Sequence, residues 1–271
     1  MQSESALVFD VGGTTTRLAV VEAGSLGGVI KFDTPPDPEE WLSLFEEKAR
    51  SLTNERRVGA FCGGATGTVA EGVVVSGNKS LPLWKAFPLV SRISGIFDTN
   101  GVLYNDAELV GLGEYYFGAG KGDRNMLYVT VSTGVGGAHI IDGRVERGRY
   151  NAEFGHQNVD GVELEDLISG TAVRKKYGIH PKDLSDKAAL DELADLLAKG
   201  LSDTILHFFP DSVVVGGSMI VGKNGIPLER VSQTLRRLLS RYYPTTPELK
   251  KAALGDIGGL YGGVAHLEFL A

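Results

Sequence analysis

Asp10-Val11-Gly12-Gly13-Thr14-Thr15-Thr16 sets one carboxylate, two glycines and three hydroxyls at a bend between two apolar runs. Glycines let a backbone come close to a bulky anion, and the N–H groups of such a bend form an anion-binding concavity. Asp10, closing the first run, could hold Mg²⁺ directly or through water. An ordinary β-hairpin is the plain alternative, since Gly-Gly turns are common. Further along, Val129-Thr-Val-Ser132-Thr133-Gly134-Val135-Gly136-Gly137 repeats the design: apolar strand, hydroxyl-and-glycine turn, apolar strand. Two such hairpins suggest a duplicated domain with a ligand held between the halves.

Tyr104-Asn105-Asp106-Ala107-Glu108 closes a short strand and opens a helix. Asn or Asp at that junction is a common N-cap. It is equally where α/β folds place ligands, and an Asp there can accept the proton of a substrate hydroxyl in phosphoryl transfer. Glu153-Phe154-Gly155-His156 follows a Gly- and Arg-rich loop, residues 143–149, and precedes Glu165-Asp166. These acids with His156 fit a metal site, an acid/base pair or a polyol-binding set, or else solvated charges on a short helix. Gly217 to Lys223 matches the Gly-x-x-x-x-Gly-Lys phosphate loop, but Asn224 replaces the hydroxyl residue that binds Mg²⁺, and Gly225 and Pro227 forbid the helix that should follow.

The elements that must position these residues alternate between the two kinds. Strands are expected at 6–11, 16–22, 28–33, 57–62, 68–75, 102–105, 126–132, 135–141 and 212–216, mostly Val/Ile-rich and bounded by Gly, Asp or Asn. Helices are expected at 38–52, 106–117, 186–206 and 228–241, the first with Trp41, Leu42, Phe45 and Ala49 on one face. The mixture predicts an α/β protein. In 271 residues, 42% hydrophobic and 23% charged residues indicate a globular chain with ample core. A net charge of −7 argues against a nucleic-acid surface. Cys62 is the sole cysteine, which excludes a disulfide and any Cys-rich zinc site. The polar, acidic start and the lack of a spanning apolar run predict a cytoplasmic protein without a membrane partner.

Taken in order, these motifs resemble the ROK family (repressors, open reading frames and sugar kinases) within the actin-like ATPase/sugar-kinase superfamily. The likeness covers Asp10 to Thr14, Asn105-Asp106-Ala107, Ser132 to Gly137, Glu153 to His156, Glu165 to Gly170 and Gly216-Gly217-Ser218. Gly77-Asn78-Lys79-Ser80-Leu81-Pro82-Leu83-Trp84 is similar to the family's Asn-Leu-Pro-x-Trp segment, and Leu254 to Gly262 to the start of its final helix. The resemblance implies Asp106 as general base on a sugar hydroxyl. It implies Asn78, Asn105, Glu153, His156 and Glu165 as further sugar contacts. Asp10, Gly12, Gly13, Thr14 and Thr15 would form the γ-phosphate and Mg²⁺ loop, Thr133 and Gly134 the second phosphate loop, and Gly216 and Gly217 the adenosine contact. Most members follow Glu-x-Gly-His with a cysteine-rich loop that binds zinc together with that His. Here residues 158–164 run to Glu165 without a cysteine, so zinc is not expected and His156 keeps a sugar contact alone.

The resemblance implies two actin-like (ribonuclease-H-like) lobes with a ligand cleft between them. The smaller would hold residues 1–105 with a C-terminal helix from 255–271, and the larger 106–254. The implied activity is an ATP- and Mg²⁺-dependent hexose kinase, glucokinase-like, acting on the 6-hydroxyl, as a homodimer. An N-acetylhexosamine kinase (for N-acetylmannosamine or N-acetylglucosamine) and a non-catalytic sugar-sensing regulator are the alternatives. A regulator would carry a DNA-binding domain ahead of the phosphate loop; six residues precede Leu7, so catalysis is expected.

Overall fold

The computed structural model describes residues 5–77 and 81–271. Its contacts divide the chain into two units, Met1–Phe117 with Arg147–Asn151 and Asp256–Ala271, and Gly118–Glu146 with Ala152–Gly255.

The first unit is built on β1 (Ser5–Val11), β2 (Thr15–Glu22), β3 (Ser25–Asp33), β4 (Val58–Ala65) and β7 (Asn100–Asn105). They form one five-stranded sheet in the order β3-β2-β1-β4-β7. β1 to β3 run antiparallel, while β1, β4 and β7 run parallel. The hairpin β5 (Thr68–Ala70) and β6 (Val73–Ser76) corrects the expected single strand at 68–75. Glu71 and Gly72 stand at φ 51° and 77°, a left-handed pair that reverses the chain. Helix α1 (Pro38–Thr53) starts on Asp37, whose carboxylate accepts the Glu39 N–H. It packs Trp41 and Phe45 onto Leu7 and Phe9 of β1, with α2 (Leu89–Phe97) adding Ile93 to the same core. α3 (Asp106–Phe117) lies on the opposite face.

The second unit repeats the plan. β8 (Asn125–Val131), β9 (Val135–Ile141) and β10 (Arg144–Val145) run antiparallel, and β13 (Ser212–Gly216) and β14 (Glu248–Lys251) continue parallel to β8. The order β10-β9-β8-β13-β14 matches the first sheet strand for strand. Between β10 and β13 come the hairpin β11 (Asn158–Val159) and β12 (Val162–Glu163), then α4 (Leu164–Ile168), α5 (Gly170–Tyr177) and α6 (Lys187–Phe208). After β13 follow α7 (Ser218–Val221) and α8 (Leu228–Leu239). Leu193, Leu197 and Leu201 of α6 and Leu235 of α8 bury against Val129, Val213 and Val215.

The chain then returns to the first unit as α9 (Gly258–Phe269). α9 crosses α3 at backbone contact, since a Cβ on Gly262 would meet the Leu109 carbonyl. That packing keeps α3 in the first unit, so the contacts place the break after Phe117 instead of at residue 105. Among the described residues no helix is long and apolar enough to cross a membrane.

Candidate active site

In the first unit, parallel pairing aligns Asp10 with Gly64 and Gly64 with Tyr104, so β1, β4 and β7 end side by side. The Gly12–Thr15 turn emerges from the first of these ends and Asp106 from the last. A Cβ at Gly64 would lie 3.3 Å from the Asp106 Cα, so this glycine lets α3 start close over β4. Asp10 is 8% exposed, and its Oδ1 is buried without a hydrogen-bond partner among the described residues. Burial, with the charge of Asp106, pushes its pKa up to about 7 against the pull of Arg17, whose guanidinium stands 4.0 Å away. Asp256 draws Arg17 and Lys31 to the same side. A buried carboxylate with an orphaned oxygen beside a second acid is a set that a divalent cation would complete.

The bend itself is closed by the Gly12 N–H donating to the Thr15 carbonyl at 3.1 Å and the Thr34 hydroxyl donating to the Gly12 carbonyl at 2.9 Å. Thr16 turns inward, where its hydroxyl accepts from Trp41 Nε1 at 2.9 Å. Thr14 stays exposed, and Gly12, Gly13 and Thr15 are half-buried at the tip.

Asn105 caps α3. Its Oδ1 accepts the Ala107 N–H at 2.9 Å, while Glu108 Oε2 accepts the Asn105 N–H at 3.0 Å, a reciprocal capping box. Its amide donates to the Gly67 carbonyl at 2.8 Å. The capping role and the place at a strand end therefore coexist. Asp106, half-buried at the first helical position, accepts the Ala107 N–H. Asn78 lies outside the described residues.

In the second unit, the turn after β8 is tied on several sides. The Gly170 N–H donates to the Ser132 carbonyl at 2.7 Å, and the Thr171 hydroxyl to the Thr133 carbonyl at 2.8 Å. Glu165, on the first turn of α4, accepts the Val135 N–H at 2.8 Å beside Gly134. Gly216 and Gly217 close β13 alongside, with the Ser218 and Ser132 hydroxyls 3.2 Å apart. A cavity of about 230 Å³ opens there, lined by Thr133, Thr171, Arg174, Ser218, Lys223 and Asn224 among others. Lys223 thus borders a ligand-sized space without any phosphate-loop helix, since the next helix is α8, begun at Leu228.

His156 closes a short turn after Glu153. Its Nδ1 lies 2.8 Å from Glu163 Oε2 and its Nε2 4.0 Å from Glu153 Oε2. A hydrogen bond to Glu163, with Glu153 and Glu165 nearby, raises its pKa above the ordinary value despite partial burial.

The ROK family profile matches residues 6–268. The chain belongs to the ROK family. A glucokinase of Streptomyces coelicolor is 28% identical over 302 aligned positions, taking in 93% of this chain and 94% of that one. The crystal structure of a ROK hexokinase from Thermus thermophilus superposes with TM-score 0.84 at 27% identity, covering 97% of this chain and 98% of the other. That of a ROK glucokinase from Streptomyces griseus, in complex with glucose and AMPPNP, gives 0.76 at 26% identity, with 97% and 98% covered. The two matching five-stranded units are accordingly the two lobes of the actin-like α/β fold.

Among the described residues of this ROK protein no group of three or more His, Cys, Asp or Glu side chains is placed to hold a metal ion. The Nδ1 of His156 is engaged by Glu163, and Cys62 is buried in β4 with its thiol pKa pushed up, so it stays a protonated core side chain. The loop is instead closed by the β11–β12 hairpin, with Asp160 and Gly161 at φ 52° and 89°. An Asp-Gly pair between short apolar runs is a hairpin signal present in the sequence. The capping partnership of Glu108 is likewise legible as Asn-x-x-Glu. Its partner Arg147 has no local signal.

Proposed function

We propose that this ROK-family sugar kinase transfers the γ-phosphoryl group of ATP to the 6-hydroxyl of a hexose, with Asp106 as general base. The observation that carries this is the fixed place of Asp106, capped at the start of α3 and electrostatically coupled to Asp10. Asp106 takes the proton of the sugar hydroxyl as its oxygen bonds to the γ-phosphorus; the bond to the β-phosphate oxygen breaks and ADP leaves. Asp10 would hold Mg²⁺, through water, which when bound neutralises charge on the phosphates. The N–H groups at Gly12, Gly13, Thr14 and Thr15 and the turn at Thr133-Gly134 orient the donor, with Gly216 and Gly217 beside the nucleoside. Asn105, Glu153, His156 and Glu165 hold the sugar hydroxyls, carboxylates accepting and the imidazole donating. Glu165 uses the oxygen not occupied by the Val135 N–H.

ADP release from ATP·Mg²⁺ over a panel of hexoses and N-acetylhexosamines tests the reading. One aldohexose is expected to turn over, and its 6-deoxy analogue to bind without reacting. Asp106→Asn is expected to keep sugar affinity while losing about 10²–10⁴-fold in kcat. Turnover by that variant at the wild-type rate removes Asp106 from the role of base.

A further inference from the structure

The loop at 143–149 stands out in the sequence for its arginines, and the activity leaves it without a part. Contacts assign Arg147–Asn151 to the first unit although the residues on both sides belong to the second. Two side chains pin this returning segment. Asn151, buried, accepts the Val69 N–H through Oδ1 at 2.9 Å. The Arg147 guanidinium pairs with the Glu108 carboxylate and lies 4.8 Å from the centre of the Tyr104 ring.

Glu108 is 1% exposed, and one of its oxygens does two jobs. Oε2 accepts both the Asn105 N–H of the capping box and the Arg147 N–H. Oε1 is buried without a partner among the described residues. Burial raises the Glu108 pKa and the adjacent Asp106 charge raises it further, while Arg147 and the Asn105 N–H pull it down. A carboxylate so enclosed stays charged and in place only with a counter-ion, and losing one partner of such a pair is costly. What Glu108 holds is the junction from which Asp106 projects.

We propose that Arg147 is a positioning residue for the phosphoryl transfer, acting through Glu108: it neutralises that buried carboxylate and so keeps the Asn105–Glu108 capping box that sets Asp106. The proposal rests on Asp106 being the general base. A misplacement of the base by about 1 Å is enough to cost about 10²-fold in rate.

The experiment is a double-mutant cycle on the full chain, with Arg147→Met, Glu108→Gln and the double variant, plus Arg147→Lys. Arg147→Met is expected to lower kcat by about 10- to 100-fold with the KM for ATP held within about 3-fold, and Arg147→Lys to recover part of the loss. Without Arg147 the buried Glu108 carboxylate has no counter-ion and loosens the capping box, so the loss falls on kcat. Glu108→Gln keeps an acceptor for the Asn105 N–H without the charge, so in that background removal of Arg147 is expected to change kcat by less than about 3-fold. Should Arg147→Met fail to fold, Arg147→Lys against Glu108→Gln reads the same loss on a smaller scale. Equal losses in both backgrounds, or a loss that falls on the KM for ATP instead of on kcat, overturn the proposal. A wild-type protein inert toward every sugar with ATP overturns the kinase reading itself, which is a separate result.

Discussion

His156 Nδ1 and Glu163 Oε2 stand 2.8 Å apart, joining the turn after Glu153 to the far end of the β11–β12 hairpin. A carboxylate only accepts, so the ring nitrogen donates, which fixes the imidazole's orientation. Because the histidine pKa is raised, the pairing stabilises fully below the unfolded value near 6.5 and is lost as pH rises through the higher folded value. In NMR titration His156 is expected above about 6.5 in the wild type and lower in Glu163→Gln. The same variant is expected to raise the sugar KM by about 10-fold while sparing the KM for ATP, because one hydrogen-bonding group loses its orientation. An unchanged His156 titration in Glu163→Gln would mean that the contact is not made in solution.

Asp10 shifts the same way as His156, through burial instead of a partner. Its folded pKa, about 7, lies above the unfolded carboxylate value of 3.8. Between those values the folded state binds more protons, so stability falls as pH rises through that window and the full penalty is present above about 7. Urea unfolding of the protein without Mg²⁺ should show wild type losing on the order of 3–4 kcal/mol relative to Asp10→Asn between pH 4 and pH 8. Parallel curves for the two proteins would show that Asp10 ionises at no cost. The same Asp10→Asn change is expected to abolish most turnover.

The cavity beside Thr133 offers a test of the donor-side reading proposed for this turn. Thr133→Val removes a hydroxyl at its wall while keeping the shape, and the expected result is a rise of about 10-fold in the KM for ATP with the sugar KM unchanged. Steady-state kinetics with each substrate varied in turn measure this. A rise confined to the sugar KM would assign that cavity to the acceptor.

Gly262 decides how closely α9 crosses α3. Gly262→Ala would drive a methyl group into the Leu109 carbonyl, and overpacking of this kind costs about 1–3 kcal/mol or more. Denaturant midpoints are expected to fall accordingly. Gly95→Ala, where no atom lies within 4 Å of the added Cβ, is the control and is expected to stabilise slightly through helix propensity.

The apolar runs at 6–11 and 126–132, the hydroxyl-glycine bends after them and the amphipathic faces at 38–52 and 186–206 are enough to determine the α/β class, the repeated hairpin design and the family. Each is a local pattern, and local patterns are what backbone preference and burial periodicity write directly into a chain. Pattern alone misreads 68–75 as one strand because two left-handed residues, Glu71 and Gly72, interrupt an otherwise continuous β-branched run. The β11–β12 hairpin escapes the same reading because its strands are two residues each.

Only the tertiary structure could decide the rest. No periodicity assigns α3 to the unit of α9; that follows from bare backbone meeting at Gly113 and Gly262, 149 positions apart (262 minus 113). Nor could spacing pair Arg147 with Glu108 or Glu163 with His156, since a buried charge takes whatever partner the fold delivers. The sequence by itself determined which residue types stand at the bends. The fold determined which charges face one another across them, because electrostatic coupling depends on distance and burial, which the order of residues does not contain.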